Sequence, residues 1–418
     1  MKKVLIVDDS RTILSLLKSE FDEIDEIEAI YASTYKEAMH KFRDNSDIKV
    51  ALLDINLPDA PNGEVISLAN SHNIPAVVLT GTINKKIRET IEKKDILAYI
   101  LKDSPKSMKL AVKLIQRALR NYDTTVMVVD DSELYRKLLS EFLTRININV
   151  ITACNGQEAL DVLKNSDEHI SMVLTDFEMP NMDGMELTIK IREEYDKNQL
   201  GIIALSTVED KNVIDNFLKF GANDFINKPF NKNEVITRIN SNLELLDLFT
   251  QITDMANKDY MTGAYNRRYF FDSGNAIFAK VKRKKLSLAV AMLDIDNFKK
   301  INDTYGHDIG DIAIKEIKKV LDNNLRSSDL VSRFGGEEFC IILEDISLEN
   351  TEKLFEKIRK SFEDNIIEIN ETKLRYTVSF GIAYGMLDSL DEMVSLSDQA
   401  LYVSKKSGRN QVTIKETG

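Results

Sequence analysis

Acids, hydroxyls and lysines gather at the ends of apolar runs in this chain. Asp8 and Asp9 follow Val4–Val7, Asp54 follows Ala51–Leu53, and Thr80 and Lys102 end two further apolar stretches. Asp130, Asp131, Asp176, Ser206 and Lys228 repeat that set of residue types in the same order. Carboxylates brought together repel, so they favour a hard cation with oxygen ligands such as Mg²⁺. A lysine beside them can neutralise phosphoryl oxygens, and one aspartate can act as nucleophile toward a phosphoryl group. A third group has Asp294 after the apolar run Leu286–Leu293, and Glu337 and Glu338 after Gly335-Gly336. Carboxylates on neighbouring strands could share one or two Mg²⁺ ions. Nucleotidyl-transferring enzymes use that arrangement to activate an attacking hydroxyl and steady a leaving pyrophosphate. The adjacent glycines remove side chains where a phosphate-bearing ligand must approach the backbone.

The elements needed to hold these residues follow from the pattern. Val4–Asp8 returns as Val126–Asp130 and Ala51–Asp54 as Val173–Asp176, both offset by 122. Thr80 matches Ser206 and Lys102 matches Lys228 at an offset of 126, so two copies of one domain differ by loop length. Val4–Val7, Val50–Leu53, Ala76–Leu79 and Leu97–Leu101 read as buried strands. Ile13–Phe21 and Met108–Leu119 show the three-and-four apolar spacing of helices. Alternation of the two predicts a doubly wound α/β sheet, whose sites form beyond the carboxyl ends of the strands. From 231 to 258 a stretch free of Gly and Pro carries Ile236, Ile239, Leu243, Leu246, Phe249, Ile252 and Met255 as an apolar stripe about seven turns long. Ile236 to Leu243 read as the last helix of the second copy packed on its own sheet. The remainder extends past that domain as a short coiled coil or a rigid lever. Val331–Leu343 reads as a hairpin around Gly335-Gly336 with acids at its tip.

Composition limits the alternatives. The 418 residues suit two to four domains, and 43% hydrophobic with 30% charged residues suits a globular protein. A net charge of −12 argues against general binding of nucleic-acid backbones. No run approaches a membrane span, and the four apolar residues after Lys3 are too few for a secretion signal. Cys154 and Cys340 read as small buried hydrophobes in a reducing cytoplasm. The basic run 280–285 reads as a solvated loop, His307 as a turn residue, and Met179, Met182 and Met185 as packing residues.

Both copies resemble the receiver domains of two-component response regulators. The resemblance implies that Asp8/Asp9 and Asp130/Asp131 hold Mg²⁺ and that Asp54 and Asp176 are phospho-acceptors completing each metal site. It also implies that Thr80 or Ser206 and Lys102 or Lys228 contact the phosphoryl group, with Tyr99 or Phe225 as the rotamer switch. The second copy has Lys228-Pro229-Phe230, as the family usually does. The first has Lys102-Asp103 and a longer 58–63 loop. From Asp259 onward, Asp259–Gly263, Asp294–Lys299, Asn302–His307, Gly310-Asp311, Gly335–Phe339, Ser379–Ala383 and Lys405 with Gly408–Asn410 resemble the GGDEF family of diguanylate cyclases. That resemblance implies Mg²⁺ (Mn²⁺ as an alternative) on Asp294, the Ile295 carbonyl and Glu337. Glu338 assists the metal or deprotonates a ribose hydroxyl. Phe298, Asn302 and Asp311 contact substrate, the last two at the guanine edge, and Lys299, Lys405 and Arg409 face the triphosphate. Arg326 and Asp329 match the family's inhibitory product site.

The expected fold is α/β: two flavodoxin-like doubly wound receiver domains and an α+β palm-like domain with a central antiparallel sheet. The expected boundaries are 1–121 and 122–245 for the receivers, 246–258 for a helical linker and 259–418 for the GGDEF domain. The expected function, by resemblance to PleD-like response regulators, is condensation of two GTP into cyclic di-GMP by a cytoplasmic homodimer under a cognate sensor histidine kinase. No nucleic acid and no membrane insertion are expected. The alternatives are a catalytically weak GTP or cyclic di-GMP receptor and a phosphorelay protein without output catalysis.

Overall fold

In the computed structural model the described residues are 1–24, 26–81, 94, 96–207, 211–369 and 372–417. They form two compact units, Met1–Thr250 and Gln251–Gly418.

The first unit holds two five-stranded sheets. One comprises β1 (Lys2–Val7), β2 (Ile27–Ala32), β3 (Ile48–Asp54), β4 (Ala76–Thr80) and β5 (Ala98–Leu101), in the order β2-β1-β3-β4-β5. Every pairing is parallel. Alternate residues of β1 enter cores on opposite faces, Leu5 and Val7 on one and Val4 and Ile6 on the other. A strand covered on both faces needs an unbroken apolar run, which is why β1 and β3 were plain in the sequence. β2, at the edge and only partly buried, reads Ile-Glu-Ala-Ile-Tyr-Ala, its apolar stretch broken by Glu28.

The second sheet repeats the topology with β6 (Thr125–Val129), β7 (Asn149–Ala153), β8 (Ile170–Asp176), β9 (Gly201–Ser206) and β10 (Asp224–Asn227) in the order β10-β9-β8-β6-β7. In both sheets the strand order reverses beside the first strand, so Asp8 with Asp54 and Asp130 with Asp176 lie at topological switch points.

The two copies are joined by polar contacts as well as apolar ones. Helix α4 (Pro105–Arg120), counted after α1 (Arg11–Asp22), α2 (Tyr35–Asp44) and α3 (Glu64–Ser71), closes the first copy. Its buried Arg117 donates to Asn121 Oδ1 (2.8 Å), Thr124 Oγ1 (3.1 Å) and Asp247 Oδ2 (2.7 Å). Asn121 in turn donates to the Ile146 carbonyl at 2.9 Å. Asp247 lies on the 26-residue helix Lys232–Asn257, which follows β10. Ile239, Leu243 and Leu246 of that helix are buried, whereas Phe249, Ile252 and Met255 are exposed.

The second unit is built on a six-stranded sheet. Its strands are β11 (Tyr265–Asn266), β12 (Leu288–Ile295), β13 (Leu330–Gly335), β14 (Glu338–Glu344), β17 (Val378–Tyr384) and β18 (Val412–Glu416), in the order β11-β13-β14-β12-β17-β18. The four central strands pair antiparallel and the two edge pairings are parallel. β15 (Ile367–Ile369) and β16 (Thr372–Leu374) form a separate hairpin. All eight residues of β12 are buried, because cores lie on both of its faces.

Two expectations are corrected. Cys154 is exposed, while Cys340 is buried as expected. Residues 280–284 are not a loop but the end of helix Arg267–Lys284, where Val281 is buried and Lys280 pairs with Glu344 at 2.7 Å. Alternation of lysines around one valine is the outer face of a helix end, where cations also favour the dipole.

Candidate functional site

In the first copy, Asp8 is held by its own turn: Ser10 N–H donates to Asp8 Oδ1 at 3.0 Å, and Ser10 caps helix α1. Lys102 Nζ lies 2.6 Å from both Asp8 Oδ2 and Asp54 Oδ2. Carboxylate oxygens of Asp8, Asp9 and Asp54 all lie within 4.8 Å of one another. Burial pushes the Asp8 carboxyl up, and the Asp54 charge adds to that against the lowering pull of Lys102. Thr80 is buried at the end of β4, and Tyr99 is exposed on β5.

The second copy shows the same layout. Asp130, Asp131 and Asp176 form a matching oxygen cluster, and Lys228 lies 2.7 Å from Asp130 and 2.8 Å from Asp176. Burial alone would lower the Lys228 pKa, but the hydrogen bonds it donates to Asp130 and Asp176 raise it. Two features were not read from the sequence. The Tyr135 ring covers the Lys228 ammonium at 4.1 Å, and Arg136 donates to the Asp131 carbonyl at 2.9 Å. Ser206 is buried, and the Phe225 ring packs under Arg238.

In the second unit, the β12–β14 register sets Asp294 opposite Glu338, one residue from Glu337 at the hairpin tip. Ile295 ends β12 and is buried. Gly335 (φ +155°) and Gly336 (φ +51°) make the tip, a conformation that suits glycine at the second position. Arg333 fixes it, donating to the Gly336 carbonyl through Nε (2.9 Å) and Nη2 (2.7 Å) and to Asp259 through Nη1 (2.8 Å). Sequence reading missed this role, although Arg333 lies two residues before the glycines. Asp294 Oδ2 pairs with Lys405 Nζ at 2.6 Å, so in this structure Lys405 stands at the carboxylate expected to bind metal. Burial drives the Asp294 pKa up to about 6, against Lys405 and with help from the Glu337 and Glu338 charges.

These residues fit a divalent cation. Asp294 Oδ1 is buried with no hydrogen-bond partner. A cation there would relieve both that orphan oxygen and the repulsion among three carboxylates. Among the described residues, oxygens clustered within 4.8 Å occur in the two receiver copies, and Asp294, Glu337 and Glu338 are not drawn that close.

Beside the sheet end, the helices Phe298–Tyr305 and His307–Asp322 form a hairpin. Gly310 lets them meet: a Cβ there would lie 2.0 Å from Asn302 Oδ1 and 3.2 Å from the Phe298 ring. Asn302, Asp311 and Phe298 are thus gathered at one place, with Lys299 exposed on the first of the two helices. Arg409 is exposed in the turn after the helix Leu390–Lys406. Arg326 is exposed, and its N–H donates to Asp329 Oδ2 at 2.8 Å.

The receiver-domain family of response regulators matches residues 4–113 and 126–240, and the family described as diguanylate cyclase, GGDEF domain, matches 256–411. The receiver matches cover more than half of the chain, which therefore belongs to the response regulators: two receiver domains followed by a GGDEF domain. Response regulator PleD of Caulobacter vibrioides is 29% identical over 309 residues, which is 69% of this chain and 65% of that protein. Diguanylate cyclase A of Treponema denticola is 38% identical over 170 residues, 40% of this chain and 46% of that protein. The chain thus spans less than two thirds of the length of these relatives. A solved two-component system response regulator/GGDEF domain protein aligns at a TM-score of 0.52 with 36% identity, covering 59% of this chain and all of that one. Among the described residues no helix is long and apolar enough to cross a membrane.

Proposed function

We propose that this chain is a phosphorylation-regulated diguanylate cyclase that joins two GTP into cyclic di-GMP. The observation that carries the reading is the register of β12 on β14, which puts Asp294 and the Glu337-Glu338 tip at one sheet end beside the Asn302/Asp311 hairpin. Asp294, the Ile295 carbonyl, Glu337 and Glu338 would hold Mg²⁺ or Mn²⁺, which when bound polarises phosphoryl oxygens and neutralises developing charge. Asn302 and Asp311 orient guanine. Lys299, Lys405 and Arg409 hold the triphosphate. Glu338, exposed at the tip, takes the proton of the ribose 3′-hydroxyl as its oxygen bonds to the α-phosphorus of a second GTP. Pyrophosphate leaves, and a second attack with the roles of the two nucleotides exchanged closes the ring and releases a second pyrophosphate.

One domain of 259–418 supplies one nucleotide, so two chains must face each other, and dimerisation acts through proximity. The receiver domains, 1–121 and 122–245, take phosphate on Asp54 or Asp176 from a sensor histidine kinase. Added charge at the sheet edge moves Thr80/Tyr99 or Ser206/Phe225, and the helix through 246–258 passes the change on. Arg326 with Asp329 binds product and slows the enzyme. GTP with Mg²⁺ and full-length protein, read by mass, tests the activity. Cyclic di-GMP is expected from the wild type and none from Glu338→Gln, which still binds GTP. Absence of product from wild type that binds GTP would leave a nucleotide receptor.

A further inference from the structure

Asp296 lies two residues beyond Asp294, in the turn that follows β12, and is buried with no ion-pair partner among the described residues. Its carboxylate accepts three neutral donors: Thr377 Oγ1 at 2.7 Å, Ser379 Oγ at 2.7 Å and the Asn410 backbone N–H at 2.8 Å. A buried carboxylate is tolerated only when its oxygens are satisfied, so this is a built contact. Its third donor belongs to an unusual turn. Gly408, Arg409 and Asn410 all have positive φ, at +118°, +67° and +48°. Side-chain-bearing residues rarely adopt this backbone, and two in succession persist only where contacts over-determine them. Asn410 is held from its other side as well, accepting from Arg359 Nη1 at 2.7 Å and donating to Glu363 at 2.9 Å. Arg409, between the fixed Asn410 and the helix that carries Lys405, has its own N–H tied to the Ser404 carbonyl at 3.0 Å.

We propose that Asp296 is a positioning residue: its carboxylate clamps the 408–410 turn and so aims Arg409 at the triphosphate of a bound nucleotide. The inference rests on the assignment of Arg409 to the triphosphate made above. Asp296 itself touches no substrate. Its removal leaves guanine reading by Asn302 and Asp311 intact while loosening the phosphate end.

The test is calorimetric binding to the full chain of the α,β-methylene analogue of GTP with Mg²⁺, beside guanosine, which lacks the phosphates. Arg409→Ala and Asp296→Ala are each expected to weaken the analogue by about tenfold, with the double variant no weaker than either single one. Guanosine affinity is expected to stay unchanged. Asp296→Asn is expected to recover most of the loss, because its amide oxygen can still accept the Asn410 N–H. If Asp296→Ala fails to fold, Asp296→Ser, too short to reach Asn410, takes its place. Additive losses, a parallel loss of guanosine affinity, or no loss in the Asp296 variants would overturn the proposal. An unchanged affinity in Arg409→Ala would remove its premise and overturn it too. Failure of the cyclase reading shows separately, as absence of cyclic di-GMP from wild type while the binding pattern holds.

Discussion

Asp294 is a carboxyl held where its charge is least welcome, buried and facing two more acids, with a pKa near 6 in place of the usual 3.8. Between those two values the unfolded chain has lost a proton that folded Asp294 keeps. Unfolding free energy therefore falls as pH rises through that window. Metal-free protein is expected to lose about 2 kcal/mol from this group between pH 4 and pH 7. Thermal melts should show the slope in the wild type and not in Asp294→Asn, and Mg²⁺ should oppose it at pH 7. Gly310 makes a second claim at this scale. A methyl group there displaces Asn302, so Gly310→Ala should raise the KM for GTP by about tenfold with a folded domain by circular dichroism. An unchanged KM would place guanine elsewhere. Acids after apolar runs were legible because chemistry needs their types together. The Arg333–Asp259 and Asp296–Asn410 contacts were not, since their partners lie 74 and 114 positions apart and only the fold brings them close.

At the scale of elements, strands buried on both faces announce themselves as unbroken apolar runs, as β1, β3 and β12 did. The edge strand β2 and the polar joint between the copies did not. Arg117 and Asp247 are 130 residues apart, and nothing in either neighbourhood marks a pair. That joint is expected to matter for stability. Arg117 is buried and serves three acceptors, so Arg117→Ala should cost about 2 to 3 kcal/mol in urea unfolding. The Lys109–Glu20 pair, 3.7 Å apart with Lys109 exposed, offers the contrast, and Lys109→Ala should cost no more than about 0.5 kcal/mol. Equal costs for the two would mean that the joint contributes nothing beyond surface charge. The helix Lys232–Asn257 was legible in length from its stripe. Its division into a buried first part and an exposed remainder follows from where the second copy's core ends, after Leu246.

For the whole molecule, two receiver domains, each with a carboxylate cluster, precede one GGDEF domain in a single chain. On the proposed function, an acyl phosphate would add charge at a receiver sheet edge, far in sequence from Glu338. Control therefore has to be read as a change in output, not as a change at the receivers. The most direct measurement is cyclic di-GMP formation from GTP and Mg²⁺ by the full chain, with and without beryllofluoride as an acyl-phosphate mimic. Product that rises with beryllofluoride, and no longer rises in one of the two variants Asp54→Asn and Asp176→Asn, is the predicted result. Product formed at the same rate with and without beryllofluoride, or no product from protein that binds GTP, would contradict the account.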